Sequence, residues 1–342
     1  MIPDPQTRVA DLIFGQWMSR ILYAGVKFGI IESLQSGPKS ADTLTHELGL
    51  DAGLGYRLLR AMASIGLLAE KQSPVFELTQ EGRCLLADHP QSLRPVALLQ
   101  GGPEHTVIWK HLPEMVRDGR QDGFVREFGH TAFEHVDREA EYAAAFHAAM
   151  NSYSASQTKP VVEALGNFDF SRIQTVCDIG GGYGYLLCGL LQEHAHLGGI
   201  VLERPGILAH KDQLEANRLG LASRCRTIEG DMFEAVPAAD LYLLKLILHD
   251  WNDQDALRIL ASARKSAPAG GRIFVIEHVM PGPETPHFAK LYDIHMMCWG
   301  PGRERTSAEY AQLLAESGWS YVGTRPVATG MMSLVEGATS TP

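Results

Sequence analysis

The stretch VCDIGGGYGYLL, residues 176–187, decides the fold. Apolar and small residues lead into Asp178, then into three consecutive glycines and a fourth at Gly184, the pattern of a buried strand turning sharply into a helix. Glycines suit such a turn because the backbone bends through dihedrals that side chains resist, and a ligand can approach without meeting a Cβ. Gly180, Gly182 and Gly184 read G-x-G-x-G, whereas the dinucleotide fingerprint G-x-G-x-x-G places its third glycine one residue later. An ordinary glycine turn in a parallel sheet is the plain alternative. After the apolar run GGIVL, Glu203 falls where the second strand of a βαβ unit would present a carboxylate to a ribose diol.

Outward from this turn, strand-like runs alternate with helices at 175–179, 199–202, 226–229, 241–246, 272–276 and 331–335. That alternation predicts a doubly wound α/β sheet, with ligands at the carboxyl ends of its strands. The polar motifs fall on those ends: Asp178 after the first strand, Glu203 after the second, GDMF at 230–233 after the third, LHDW at 248–251 after the fourth, and Glu277 after the fifth. The tail 337–342 reads as disordered.

Upstream of residue 155 the pattern is helical. Leu12, Ile13, Trp17, Ile21, Leu22, Val26, Ile30 and Ile31 recur at helical spacing through 7–34, a stripe broad enough to need burying on more than one side. Packing within its own domain would cover it, as would an intertwined homodimer. A helix opening at Ser40 and closing at Gly49, a second over 51–65, and a short β segment around 74–79 form a winged-helix pattern. Between 39 and 88 five basic residues face seven acids, which weighs against entry into a DNA groove. Further helical segments follow at 93–99, 106–118 and 140–153, the last with Tyr142, Phe146 and Met150 on one face.

The whole chain of 342 residues, with 30 Lys and Arg against 40 Asp and Glu, carries a formal charge of −10, which disfavours nucleic acid and anionic membrane surfaces as partners. Five cysteines without a C-x-x-C pair read as reduced thiols. With no signal-peptide pattern and no long apolar run, a cytoplasmic location without membrane association is expected.

Asp231 beside Met232 and Phe233 offers an acceptor for an exocyclic amine and apolar groups to sandwich a purine, so the cofactor reads as an adenosine derivative. Asp178 at the turn suits a cationic ammonium better than a pyrophosphate, which fits S-adenosylmethionine. DIGGGYG at 178–184, GDMF at 230–233, Lys245, LHDWND at 248–253, AGGR at 269–272 and GRERT at 302–306 together resemble the S-adenosylmethionine-dependent O-methyltransferases of the plant caffeate and bacterial polyketide or phenazine tailoring type. The resemblance covers nearly the whole chain. It implies an α/β fold: a helical winged-helix dimerisation domain over 1–154, contributing to the substrate pocket, and a Rossmann-like catalytic domain over 155–342.

By the same resemblance, His249 matches the general base, and Glu277 and Glu304 the acids that flank and orient it. Asp178, Gly180, Gly182, Glu203, Asp231, Met232 and Lys245 match cofactor contacts, although the ribose acid is more often Asp. Phe146 and Met150 match side chains beside the transferring methyl, and Asp293, His295, Met296 and Trp299 fall in the acceptor segment, which does not copy the plant pattern. A histidine with a pKa around 6.5 is suited to relieve a phenol of its proton. The expected activity is methyl transfer to a phenolic or enolic hydroxyl of an aromatic secondary metabolite, without metal, by a homodimer, releasing S-adenosylhomocysteine. The alternatives are N-methylation, hydroxylation, decarboxylation or a pericyclic step on the same fold, or a winged-helix regulator. Asp250 reads as a structural or helix-initiating acid rather than a second base, Glu309 as a capping-box partner of Thr306, and His278, His287 and His295 fit no common metal spacing.

Overall fold

The computed structural model describes residues 4–72, 74–205, 214–328 and 330–340. It divides into two compact units, Met1–Val107 with Phe133–Ser156, and Ile108–Ala132 with Gln157–Pro342.

In the first unit, Asp4 caps the helix Pro5–Lys27 by accepting from the Gln6 and Thr7 amides. The helical apolar spacing through 7–34 spans two helices. Gly29 adopts φ +76°, a left-handed conformation that ends the helix, and the chain restarts as Ile30–Ser33. The break also divides the apolar stripe by environment. Val26, Ile30 and Ile31 are buried in a core with Leu44, Leu59, Met62 and Phe76, whereas Leu12, Ile13 and Trp17 are 76%, 60% and 58% exposed. Ser40 and Asp51 cap the helices Ala41–Glu47 and Ala52–Ser64 through side-chain bonds to Thr43 N and Leu54 N. β1 (Lys39–Ser40), β2 (Leu68–Lys71) and β3 (Val75–Leu78) form a small antiparallel sheet in the order β1-β3-β2, which completes the winged-helix pattern.

The second unit is built on a seven-stranded sheet of β4 (Thr175–Ile179), β5 (Gly198–Glu203), β6 (Cys225–Glu229), β7 (Leu241–Lys245), β8 (Arg272–Glu277), β9 (Ser320–Pro326) and β10 (Ser333–Ala338), in the order β6-β5-β4-β7-β8-β10-β9. β4 to β8 pair in parallel and β10 runs antiparallel between β8 and β9. From β4 the chain winds out to β5 and β6, then returns to the other side of β4 as β7. The carboxyl ends of β4 and β7 therefore flank the switch point where open α/β sheets bind ligands.

Alternation sorts the strands' side chains between two cores. Val176, Val201, Leu241, Leu243, Phe274 and Ile276 face one layer, and Cys177, Ile200, Leu202, Tyr242, Leu244, Ile273 and Val275 face the other. The same period places Asp178, Glu203 and Lys245 toward the first layer and Glu277 toward the second.

Two readings of the C-terminal region need correction. The last strand covers Ser333–Ala338 rather than 331–335, and it pairs with β9, a strand absent from the sequence reading. The tail is ordered past Gly337, since Gly337 pairs with Ile273 and Thr339 donates to Gly271 O; residues 341–342 of the expected disordered tail lie outside the described residues. A Cβ on Gly337 would stand 2.8 Å from Ile273 Cγ2 and 3.1 Å from Leu314 Cδ2, so β10 needs glycine there for close packing. Gly337→Ala is expected to cost about 1–3 kcal/mol through overpacking. Urea titration should show a lower midpoint at unchanged slope, and an unchanged midpoint would mean the strand is not packed as described.

Candidate active site

The glycine turn closes over Asp178. Gly180, Gly182 and Gly184 take φ of +67°, +57° and +82°, so the G-x-G-x-G spacing marks three left-handed positions. Gly181 is glycine for another reason, because a Cβ there would lie 2.7 Å from the Asp178 carboxyl. Gly184 opens the helix Tyr185–Glu193. Gly182 N donates to Glu203 Oε2 at 3.0 Å and Arg204 N to Glu203 Oε1 at 2.8 Å, so the acid at the end of β5 reaches back to the turn at the end of β4.

Burial raises the Asp178 pKa to about 7 against the pull of Lys245, and burial also raises that of Glu203. Lys245 is not a surface lysine; it is half-buried, its Nζ donates to Gln157 Oε1 at 3.3 Å, and burial lowers its pKa. A glycine cradle lined by buried carboxylates that lack full counter-charge fits a cofactor with a cationic amino-acid end and a ribose. Asp231 is exposed and accepts from Phe233 N at 2.9 Å, and Met232, half-buried, packs against the same core layer as Phe233, Ile247 and Trp251.

At the end of β7 the chain turns through Leu246, whose φ of +55° is the one positive value at a non-glycine among the described residues. Such strain persists where surrounding contacts over-determine the backbone. Here Glu277 Oε1 accepts from Ile247 N, Leu248 N and His249 N at 3.0, 2.9 and 3.4 Å, fixing the 3₁₀ turn Leu248–Asp250. His249 is buried, with Nδ1 2.9 Å from Glu304 Oε1 and 3.8 Å from Glu277 Oε2. The two acids thus differ: Glu304 bonds the ring, and Glu277 holds mainly the backbone beneath it. Oε2 of each has no hydrogen-bond partner among the described residues. Glu304 is itself placed by Asp293, whose Oδ1 accepts from Glu304 N at 2.8 Å.

Sequence reasoning did not place three features of this cluster. Asp250 does not initiate the following helix, which Asn252 caps; its Oδ1 lies 3.5 Å from His249 Nε2. Tyr292 stacks on His249 with centroids 5.9 Å apart and touches His278, Phe288 and His295. Gly302 lies so close that a Cβ would fall 1.8 Å from His249 O, which only the glycine opening the GRERT motif could have signalled.

His295, Met296 and Trp299 are buried on the helix Phe288–Trp299, with His295 stacked on Trp109 at 6.2 Å and held neutral by burial at a pKa of about 4. His278 and His287 bond the backbone oxygens of Met331 and Gly330. The described residues that gather ligand-type atoms within 4.8 Å of one another are His249, Glu277 and Glu304, and there Nδ1 is already engaged. Phe146 and Met150 belong to the first unit, on the helix Ala140–Leu165, with Phe146 6.2 Å from Tyr142. Glu309 does form the capping box with Thr306.

The O-methyltransferase domain family matches residues 109–320, and the O-methyltransferase dimerisation domain matches residues 10–88. The chain belongs to the S-adenosylmethionine-dependent O-methyltransferases. It is 36% identical over 330 residues to the phenazine O-methyltransferase of Lysobacter antibioticus, covering 95% of this chain and 94% of that one. It is 31% identical to the 8-amino-8-demethylriboflavin N,N-dimethyltransferase of Streptomyces davaonensis, covering 90% and 88%. Among solved structures, the mitomycin 7-O-methyltransferase superposes with a TM-score of 0.89 at 32% identity, covering 98% of each chain. An O-methyltransferase from neocarzinostatin biosynthesis, solved with S-adenosylhomocysteine and 1,4-dihydroxy-2-naphthoic acid, superposes at 0.78 and 26%, covering 94% and 95%. S-adenosylmethionine is accordingly the methyltransferase's cofactor. No helix among its described residues is long and apolar enough to cross a membrane.

The charges around His249 alter the expected base. Burial alone would lower its pKa, but Glu277, Asp250 and Glu304 outweigh that and push it up to about 10, well above the ordinary 6.5. Burial in turn raises Glu277 to about 7 and Asp250 to about 6. Removing one anion should lower the imidazole's proton affinity. In ¹⁵N-histidine NMR of the ligand-free enzyme, the His249 midpoint is expected near 10 and should move down in Glu304→Gln; a midpoint near 6.5 that ignores the substitution would contradict this electrostatic picture.

Proposed function

We propose that this O-methyltransferase methylates a phenolic or enolic hydroxyl of an aromatic small molecule, with His249 as general base. The observation that supports this reading is the commitment of Nδ1 to the buried Glu304, which points Nε2 the other way, where an acceptor hydroxyl would join Asp250 Oδ1 at 3.5 Å as its neighbour. What the cofactor supplies when bound is a sulfonium methyl open to in-line displacement by oxygen. The protein's part is to bind, align and manage a proton. Asp178 and Lys245 face the amino-acid end, Glu203 the ribose hydroxyls, and Asp231 with Met232 the adenine. Gly180 and Gly182 keep the turn clear of side chains.

The acceptor's proton goes to Nε2, and the resulting imidazolium is stabilised by Glu304 and Glu277. A phenol ionises at about pH 10, and His249 holds its proton to about the same value. Transfer between them is therefore nearly balanced. Below that pH both groups begin protonated, so one proton must leave to solvent as the acceptor binds; the one that remains sits on the imidazole and leaves the oxygen anionic toward the methyl. Matched affinity and alignment in a dry site supply the acceleration.

Methylation of an amine, as the name of the riboflavin-analogue relative describes, is the second reading. A neutral aromatic amine has its lone pair free before attack, so a buried imidazole between carboxylates would have no early task. His249→Ala separates the two. For the hydroxyl reading, its turnover should fall by about 10²–10⁴-fold while cofactor affinity measured by calorimetry is unchanged. Near-normal formation of S-adenosylhomocysteine would exclude His249 as base. Asp293, His295, Met296 and Trp299 are proposed to shape the acceptor site, and the family resemblance alone assigns Phe146 and Met150 to it.

The enzyme is also proposed to be a homodimer in the cytoplasm, supported by the dimerisation domain and by five unpaired cysteines. The uncovered face of Pro5–Lys27, with Leu12, Ile13 and Trp17, would be covered by a second copy. Sedimentation of Ile13→Glu/Trp17→Glu is expected to show a monomer where the unmodified chain sediments as a dimer, and an unchanged dimer would place the interface elsewhere.

A further inference from the structure

Arg305 is completely buried, yet no step described above uses it. Its guanidinium has three close partners, with Arg303 O a fourth and weaker acceptor 3.4 Å from Nη1. Nη1 donates to Leu248 O at 2.9 Å, Nη2 to Trp251 O at 2.7 Å, and Nε to Asp253 Oδ1 at 2.8 Å. The carbonyls it holds bracket His249 and Asp250. Leu248, whose amide donates to Glu277, thus has its amide on a buried anion and its carbonyl on a buried cation.

The anchoring of Arg305 itself is equally specific. It follows Glu304 directly, its own carbonyl accepts from Met280 N at 2.9 Å, and its guanidinium lies 6.0 Å over the Tyr310 ring. Gly302 lets this segment press against His249 O. The backbone that delivers the ring's carboxylate partner therefore also delivers the cation that fixes the ring's own turn.

We infer that Arg305 is a positioning residue for methyl transfer: its forked guanidinium locks the 248–251 turn so that the His249 ring meets Glu304 and presents Nε2 to the acceptor. The planar fork serves three acceptors at fixed angles, which a lysine ammonium cannot reproduce. A charge-retaining substitution thus isolates geometry from electrostatics. The inference rests on His249 as base, but its effect on the His249 ring can be read without turnover.

The test is Arg305→Lys in the full-length enzyme. Expected are a fall in kcat of about tenfold or more, a KM for S-adenosylmethionine within about twofold of the unmodified value, and a His249 ¹⁵N titration midpoint moved down as the ring loosens from Glu304. A folded Arg305→Lys enzyme with unchanged kcat and unchanged midpoint would overturn the inference. So would a drop in kcat with an unmoved midpoint, because the ring would then be held without the fork. Should Arg305→Lys not fold, Asp253→Ala takes its place, since that side chain is 55% exposed and its loss frees one arm of the fork. The same two shifts, smaller, are expected there, and their absence overturns the inference. An active His249→Ala enzyme would instead refute the base assignment and leave the NMR readout of Arg305 intact.

Discussion

The candidate site of this enzyme depends on holding a short polar turn in a dry place. Leu248 and His249 are buried, and a 3₁₀ turn leaves its first amides without partners of its own, while Leu248 O accepts from Trp251 N and has room for a second donor. Glu277 takes the amides and Arg305 takes the carbonyls. Each ion would cost several kcal/mol to bury unpaired, and each is offset by multiple charge-assisted bonds to the turn. The fold supplies the two ions from separate places: β8 carries Glu277 beside β7 by parallel pairing, and the 302–306 segment carries Arg305 in from behind.

That arrangement sets the protonation of His249. Asp250, Glu277 and Glu304 surround one imidazole, and their combined field exceeds the effect of burial. A base with ordinary histidine affinity would leave a phenol's proton mostly where it began. With its affinity raised to about 10 the imidazole already carries a second proton at neutral pH, so in the proposed reaction it holds one proton stably once the pair has released the other to solvent. The cofactor end follows the same logic with different geometry, because strand alternation turns Asp178, Glu203 and Lys245 to one face of the sheet and Glu277 to the other. On the proposed reading one carboxylate group meets an ammonium and a ribose, and the other meets the imidazole.

How much of this was legible in the sequence depended on whether the cause was local. The glycine turn was readable because three left-handed positions leave a spacing in the chain, and β4 to β8 because buried parallel strands are apolar runs. Helix starts at Ser40, Asp51 and Thr306 were readable because the capping side chain is part of the motif. The break at Gly29 was missed since the apolar period runs through it, and β9 since half its side chains are exposed and dictate no alternation. Gly337 suggested disorder, but close packing against Ile273 was its cause. Within the site, His249 and both glutamates were recognisable by resemblance. Their division of labour was not, because it depends on which oxygen meets which nitrogen after distant segments come together. The positive φ of Leu246 and the fork of Arg305 lie beyond any periodicity for the same reason.

The same accounting bears on how an acceptor could be chosen. Asp293 sits in the proposed acceptor segment, yet one carboxylate oxygen is bonded to Glu304 N, which ties it to the catalytic machinery. His295 is different in kind. Burial holds it near a pKa of 4, so across the physiological range it offers a flat, uncharged ring stacked on Trp109 and close to Tyr292. A neutral imidazole discriminates through shape and hydrogen bonding, and it adds no positive charge to a site where the imidazolium of His249 must remain the favoured cation. If His295 lines the acceptor site as proposed, variation there would alter the acceptor with little change in the charges around His249, whereas a change at Asp293 would also reach Glu304.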